Sequence, residues 1–174
     1  MKLKKFSFKK VGSTNNTAIS LIKRGEKSGI IISELQTKGR GQRGNKWLSK
    51  KGNLFMTVFF EIGKKISLKK IINLNILIIK KIIKKNINSY ISVKKPNDIL
   101  INKKKACGIL QETIFKNNKK YLVIGVGINL TNSPNVDKYE TTYLNNYRKK
   151  KINKLKLFQE IKINYEKNIN HFNF

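Results

Sequence analysis

Two apolar runs, Ala106–Phe115 and Tyr121–Leu130, are separated by a short polar stretch that contains Asn117-Asn118. Asparagine tolerates the left-handed backbone that a tight turn demands, so this pair between two strand-like runs predicts a β-hairpin. A hairpin commits the chain to antiparallel pairing, and other segments offer strands to extend it. Lys5–Val11 reads as a short strand, Gly29–Gln36 as a buried β-branched strand and Asn53–Ile62 as an apolar central one. Tyr90–Val93 and Ile99–Ile101 are shorter, and Asn102-Lys103-Lys104 makes the turn that follows them.

Helical spacing appears in three places. Ser13 or Thr14 caps a helix through Ala18, Ile19, Leu21 and Ile22, closed by Gly25. A second helix from Ser67 to Lys85 carries a wide apolar face of Leu68, Ile71, Ile72, Ile76, Ile79, Ile82 and Ile83. A Lys/Asn-rich third, within Ile152–Phe172, places Leu155, Phe158, Ile161 and Tyr165 on its apolar side. Asn132–Leu144 reads as loop. No repeat or linker interrupts the pattern, which is that of an α+β domain with a mixed sheet.

The 174 residues suit one domain, long enough to bury about 70% of its unfolded-chain surface without disulfides or metal. The lone Cys107 excludes an internal disulfide and points to a reducing compartment, hence a cytoplasmic location. No signal peptide is visible at the N-terminus. The most apolar stretch, Ile71–Ile83, is broken by Asn73, Asn75, Lys80 and Lys81 and is too short to span a bilayer, so no membrane role is expected.

A formal charge of +30 invites a nucleic-acid reading, but its composition argues otherwise. There are 35 Lys, 26 Ile and 22 Asn, the residues of A/T-rich codons, whereas Arg occurs only at 24, 40, 43 and 148. Codon bias therefore explains the lysines, and two of the four surviving arginines fall in one short loop. That loop, Gly39-Arg-Gly-Gln-Arg-Gly44, matches a dinucleotide fingerprint as a string. It leads toward a strand instead of opening a helix, so the dinucleotide reading fails. What remains is a nest of backbone N–H groups carrying Arg40, Arg43 and Lys46, suited to a phosphate or carboxylate. The plain alternative is a solvated basic loop. Three glycines and mutually repelling cations predict a loop that orders only when an anion binds.

Two further constellations stand out. Lys94-Lys-Pro-Asn-Asp98 ends a strand with one of only two aspartates, followed by Lys105-Ala-Cys-Gly108. Asp98 there is either a turn cap or a chemical group. Gly125-Val-Gly-Ile-Asn129 interrupts a strand with two glycines, which allows either a bulge or close approach of a ligand or second backbone. Cys107 reads as small buried packing, His171 as partnerless, and Lys64-Lys65 and Lys149-Lys-Lys151 as solvated surface.

Taken in order, Ser13-Thr-Asn15, Gln36, Gly39–Trp47, Lys94–Asp98, Lys105–Leu110 and Gly125–Asn129 resemble the catalytic domain of the biotin protein ligase family over about Phe6–Leu130. The resemblance implies a class II synthetase-like α+β fold, a mixed and largely antiparallel sheet backed by helices. It implies a reaction in two steps. Biotin and ATP, with Mg2+, give biotinyl-5′-adenylate and pyrophosphate, and a lysine of a biotin carboxyl carrier protein then attacks the anhydride. Ser13, Thr14 and Gln36 are implied to bind the ureido ring of biotin, and Asn15, Gly39, Arg40, Lys105 and Gly108 are implied as further biotin-binding residues. Arg40, Gly41, Arg43, Gly44, Trp47, Asn97 and Asn129 are implied on the ATP or adenylate side. Lys105, Arg40 and Asp98 are the implied catalytic groups, Asp98 doubling as the candidate metal ligand.

Some positions depart from that family. Lys95 replaces a tryptophan, which weakens an apolar wall, and Gln42 replaces a basic residue that helps retain the adenylate. Ser13 lies so near the start that residues 1–174 are expected to form one catalytic domain, without an N-terminal winged helix or a C-terminal SH3-like barrel. A homodimer stays open. Two rivals are a lipoate ligase, which would lack the Gly-Arg-Gly loop and the Lys-Pro-Asn-Asp turn, and a non-specific nucleic-acid-binding protein. The lysines are spread through every segment, so no specific DNA site is expected. Titration of duplex DNA at physiological salt is expected to show only weak binding, with Kd on the order of 10⁻⁴–10⁻⁶ M; specific binding near 10⁻⁸ M would overturn this.

Overall fold

The computed structural model describes residues 1–63 and 66–172, so the lysine pair at 64 and 65 lies outside the described residues. Seven strands, β1 (Lys5–Val11), β2 (Ser28–Gln36), β3 (Leu54–Ile62), β4 (Ile91–Lys94), β5 (Asp98–Ile101), β6 (Lys104–Lys116) and β7 (Lys119–Ile128), form one sheet. Its order is β1-β2-β3-β7-β6-β5-β4. Only β1 and β2 run parallel; every other neighbouring pair is antiparallel. The α+β expectation with a mixed, largely antiparallel sheet therefore holds. The helices are α1 (Thr14–Lys23), α2 (Leu68–Asn86) and α3 (Lys154–Asn168).

The hairpin expected around Asn117-Asn118 is β6–β7. Asn117 and Asn118 have φ of 48° and 59°, both left-handed, which a two-residue turn of this hand requires. The turn from β5 to β6 repeats the device with Asn102 and Lys103 at φ 46° and 66°. From Lys116↔Lys119 the pairing runs to Cys107↔Ile128, long enough to lock the register.

Register decides what each sheet face can hold, because side chains alternate along a strand. Leu54, Met56, Val58 and Phe60 of β3, with Leu122, Ile124, Val126 and Ile128 of β7, join α2 and α3 in the main core. On the opposite face Phe59, Tyr121 and Val123 pack with Ala18 and Ile22 of α1. The same alternation carries Thr57, Gly125 and Gly127 along that second face, beyond the end of the α1 cluster. Two of these have no side chain, which leaves room there for other groups to approach the backbone.

Two apolar-face expectations need correction. Leu68 and Leu155 are 60% and 56% exposed, while Asn75, Ile78 and Leu157 are buried. Helical spacing fixes a direction but not whether anything lies opposite, and both leucines sit in a first turn. Leu157, Ile161 and Tyr165 instead repeat at i, i+4, i+8 and bury the inner side of α3. Asn75 is buried in the apolar middle of α2 because its polar atoms are satisfied. Its Nδ2 donates to the Ile71 carbonyl at 3.0 Å, and its Oδ1 accepts from the Tyr165 hydroxyl at 3.1 Å. Burial pushes the Tyr165 phenol up, which keeps it a donor. His171 lies exposed on the terminal turn. Among the described residues no helix is long and apolar enough to cross a membrane, and no group of three His, Cys, Asp or Glu could hold a metal ion.

Tyr165→Phe strands the buried Asn75 carbonyl oxygen and is expected to lower stability by about 1–3 kcal/mol in urea unfolding. Leu155→Ala, on exposed surface, is expected to change it by no more than about 0.5 kcal/mol.

Candidate functional site

Three glycines on two strands build the floor. Gly108 of β6 pairs with Gly127 of β7, and Gly125 lies two residues back on the same face. A Cβ at Gly108 would come within 2.7 Å of the Trp47 ring, and one at Gly127 within 2.5 Å of it. The indole therefore lies flat on bare backbone. A Cβ at Gly125 would overlap the Asn15 amide, so the start of α1 is seated on that glycine. The Gly-x-Gly stretch is thus a place of close approach rather than a bulge. Between the floor, the start of α1, the glycine-rich loop and the Pro134–Thr141 segment opens a cavity of about 620 Å³.

At one end, Ser13 caps α1 by accepting from Asn16 N, and both Thr14 N and Thr14 Oγ1 donate to Gln36 Oε1, at 2.8 and 3.0 Å. Gln36 Nε2 in turn donates to Ser49 Oγ at 3.2 Å. Because Thr14 spends its proton on Gln36, its oxygen lone pairs are left to accept from a ligand N–H. Asn15 behaves differently. Its Nδ2 donates to Glu112 Oε2 at 2.8 Å and to the Leu110 carbonyl at 3.4 Å, and its Oδ1 accepts from Thr57 Oγ1 at 2.7 Å. Both of its donors are spent inside the protein.

In the structure the glycine-rich loop is folded back on itself. Trp47 N donates to the Gly39 carbonyl, Gly41 N to the Asn45 carbonyl and Asn45 N to the Gln42 carbonyl, at 3.0, 2.7 and 3.0 Å. Left-handed φ at Arg43 (54°) and Gly44 (77°) make the bend. Two N–H groups of the supposed nest are therefore used internally, which turns the anion-binding work over to side chains. Arg40 is itself engaged, with two nitrogens on Glu112 at 2.7 and 3.1 Å. Gly39 and Gly44 do not line the cavity. Gly39 gives clearance to the Trp47 carbonyl, which a Cβ would meet at 2.5 Å.

At the other end Lys105 Nζ sits 3.0 Å from Asp98 Oδ2, each side chain 17% exposed. The ammonium also lies 5.6 Å from the Trp47 ring centre and 5.0 Å from that of Tyr139, within cation–π reach of both. Backbone bonds from Lys105 N to the Glu140 carbonyl and from Thr142 N to the Lys105 carbonyl, each 2.9 Å, bring Tyr139 there. Lys103 and Lys104 are exposed at the turn, and Lys104 pairs with Glu140 at 3.2 Å. Asn129 donates from Nδ2 to the Thr142 carbonyl at 3.1 Å.

Seven cations line the cavity, Arg40, Arg43, Lys46, Lys94, Lys95, Lys105 and Lys138, against the single carboxylate of Asp98. Trp47 Nε1, Asp98 Oδ1 and Asn129 Oδ1 line it too, and each is buried without a hydrogen-bond partner. Buried polar atoms are rarely left unpaired, so three around one cavity mark where a polar ligand belongs. Cys107 lies under the floor, fully buried, its thiol pushed up mainly by burial and kept inert.

Of the residues singled out in the sequence, Ser13, Thr14, Asn15, Gln36, Arg40, Gly41, Arg43, Trp47, Asn97, Asp98, Lys105, Gly108 and Asn129 meet at this one cavity. Sequence reasoning missed Thr57, Glu112 and Tyr139. Glu112 was within reach: it is one of only nine acidic residues, spaced 4 from Gly108 on the same strand face. Thr57 and Tyr139 carried no local signal.

The profile of the Biotin/lipoate A/B protein ligase family matches residues 7–129. The Bifunctional ligase/repressor BirA of Bacillus subtilis (strain 168) is 31% identical over 167 residues, covering 90% of this chain and 51% of that protein. The chain thus spans about half the length of that relative. The crystal structure of biotin protein ligase from Leishmania major in complex with biotin superposes with a TM-score of 0.80 at 27% identity, covering 91% of this chain and 71% of that one. Biotin protein ligase from Aquifex aeolicus in complex with biotin and ATP gives 0.78 at 25% identity, covering 97% and 71%. With the matched residues spanning β1 to β7 and all the site-bearing loops between, the chain belongs to the Biotin/lipoate A/B protein ligase family.

Proposed function

We propose that the chain is an ATP-dependent biotin protein ligase that forms biotinyl-5′-AMP and transfers biotin to a lysine of a biotin carboxyl carrier protein. The observation that carries this reading is the single cavity that holds the neutral Thr14–Gln36 pair at one end and the Lys105–Asp98 pair under Trp47 at the other. A neutral urea fits the first, and a carboxylate meeting a phosphate fits the second.

In the first step a biotin carboxylate oxygen attacks the α-phosphorus of ATP, a P–O bond forms and pyrophosphate leaves. Both reactants are anions, so repulsion is the first obstacle. Lys105, Arg40 and Arg43 lower it by placing positive charge where the two meet. Thr14 accepts from the ureido N–H and fixes the far end of biotin, which makes the approach effectively unimolecular. Trp47, Asn97 and Asn129 form the nucleotide side, with the unpartnered Asn129 Oδ1 free to accept from the base or the ribose. In the second step the carrier amine attacks the acyl carbon and AMP leaves with the electron pair of the C–O bond. The folded loop covers the anhydride and limits hydrolysis. Asp98, beside Lys105, stands ready to hold the incoming amine.

Mg2+ is ordinarily held by one or two carboxylates together with substrate phosphates. Asp98, with its unpartnered Oδ1, fits that role and would hold the ion, which would supply further charge neutralisation on the phosphates. A carboxyl carrier domain is the protein partner of this reading, and the free buried Cys107 suits the reducing cytoplasm.

Incubation with ATP and labelled biotin is expected to yield biotinyl-adenylate, with lipoate a poor substitute; preference for lipoate would move the chain to the other half of its family. Lys105→Ala is expected to slow adenylation by about 10²-fold, on the order of 3 kcal/mol, through loss of a charge acting in the transition state. Lys104→Ala, at the exposed turn, is expected to stay within about 0.5 kcal/mol. Equal rates for the two variants would reduce Lys105 to another solvated lysine.

A further inference from the structure

We infer that Glu112 is a positioning residue for the reaction, which pins one edge of the Arg40 guanidinium so that its other edge faces the reacting anions. The inference rests on the biotin ligase reading and deepens it. Arg40 has five N–H donors in two forks. The end-on fork grips Glu112, with NH2 on Oε1 at 2.7 Å and NH1 on Oε2 at 3.1 Å. The remaining NH1 hydrogen goes to Asn16 Oδ1 at 2.8 Å. Three donors are spent, and none of the protein's hydrogen bonds among the described residues uses Nε. The side-on fork, Nε–H with the second NH2 hydrogen, is therefore left whole, and Arg40 lines the cavity. That fork has the spacing of a carboxylate or of two phosphate oxygens.

Glu112 is itself held. Asn15 Nδ2 donates to Glu112 Oε2, Thr57 Oγ1 donates to Asn15 Oδ1, and the Asn15 amide rests on the bare backbone of Gly125. A line of polar contacts thus runs from the central strand β3 through α1 and β6 to the loop, at 2.7, 2.8 and 2.7 Å. Loop arginines ordinarily lose several rotors on binding an anion; the contacts of Arg40 to Glu112 and Asn16 already restrict this one. The line also accounts for Asn15, which was expected on biotin but has both donors committed to the protein. Asn15 and Thr57 act at one remove, by holding Glu112.

A double-mutant cycle on the full chain tests this, reading kcat and KM for biotinyl-adenylate formation, with thermal melts to confirm folding. Glu112→Gln keeps size but removes the charge, and is expected to lower kcat by about 10-fold or more, since small misplacements of a catalytic group cost this much. Arg40→Ala is expected to lower it further. In the Arg40→Ala background, Glu112→Gln is expected to change kcat by less than about 2-fold, because two residues acting as one unit are not additive. A merely structural glutamate would give the same loss in both backgrounds, and that result overturns the inference. An unchanged kcat in Glu112→Gln alone overturns it as well. A folded wild-type chain that forms no biotinyl-adenylate overturns the ligase reading itself, and the inference with it.

Discussion

The close approach of two side chains to bare strand backbone is the constraint on which the site depends. Trp47 can lie flat only because Gly108 and Gly127 face each other across β6 and β7 with no Cβ between indole and sheet. Asn15 reaches its partners only because Gly125 leaves room for its amide. Both contacts are steric before they are chemical. The glycines admit the aromatic ring, the ring closes the loop over the floor, and the closed loop brings Arg40 to Glu112. A methyl at any of the three would lift the ring or the helix and open the cavity that the cations line.

Charge is then used sparingly in a chain that has it everywhere. Most of the lysines are solvated, and exposed ion pairs such as Lys104–Glu140 contribute little to stability. Lys105 differs from its two neighbours by position alone. The turn at Asn102-Lys103 sends Lys103 and Lys104 to water, and the first residues of β6 carry Lys105 under Trp47 and Tyr139, against Asp98. Three adjacent, chemically identical side chains thus receive different surroundings from one tight turn. The two partnered cations of the cavity, Arg40 and Lys105, are each held by one of the chain's few carboxylates, so scarce acids mark the working bases.

Much of the fold was legible because its signals are local. Paired asparagines set the hairpin, serines mark where α1 and α2 begin, and alternating apolar residues marked the central strands. The misassigned faces, Leu68 and Leu155 outward and Asn75 and Leu157 inward, have the opposite character: each depends on what another element places opposite. Asn75 looked like an interruption of an apolar helix, yet a tyrosine 90 residues later makes it a core residue.

Short segments carry the strand and helix content, the turn positions and the glycines where close approach occurs, because backbone propensity and side-chain period are local properties, whereas the residues expected at the cavity came from the family resemblance. Only the assembled fold decides that the glycine loop spends its own N–H groups, that Asn15, although it borders the cavity, commits both amide donors to the protein, and that Glu112 holds Arg40. The last two outcomes turn on competition for hydrogen-bond donors between residues 24 to 97 positions apart. That competition is settled by distance in space, which no local pattern encodes.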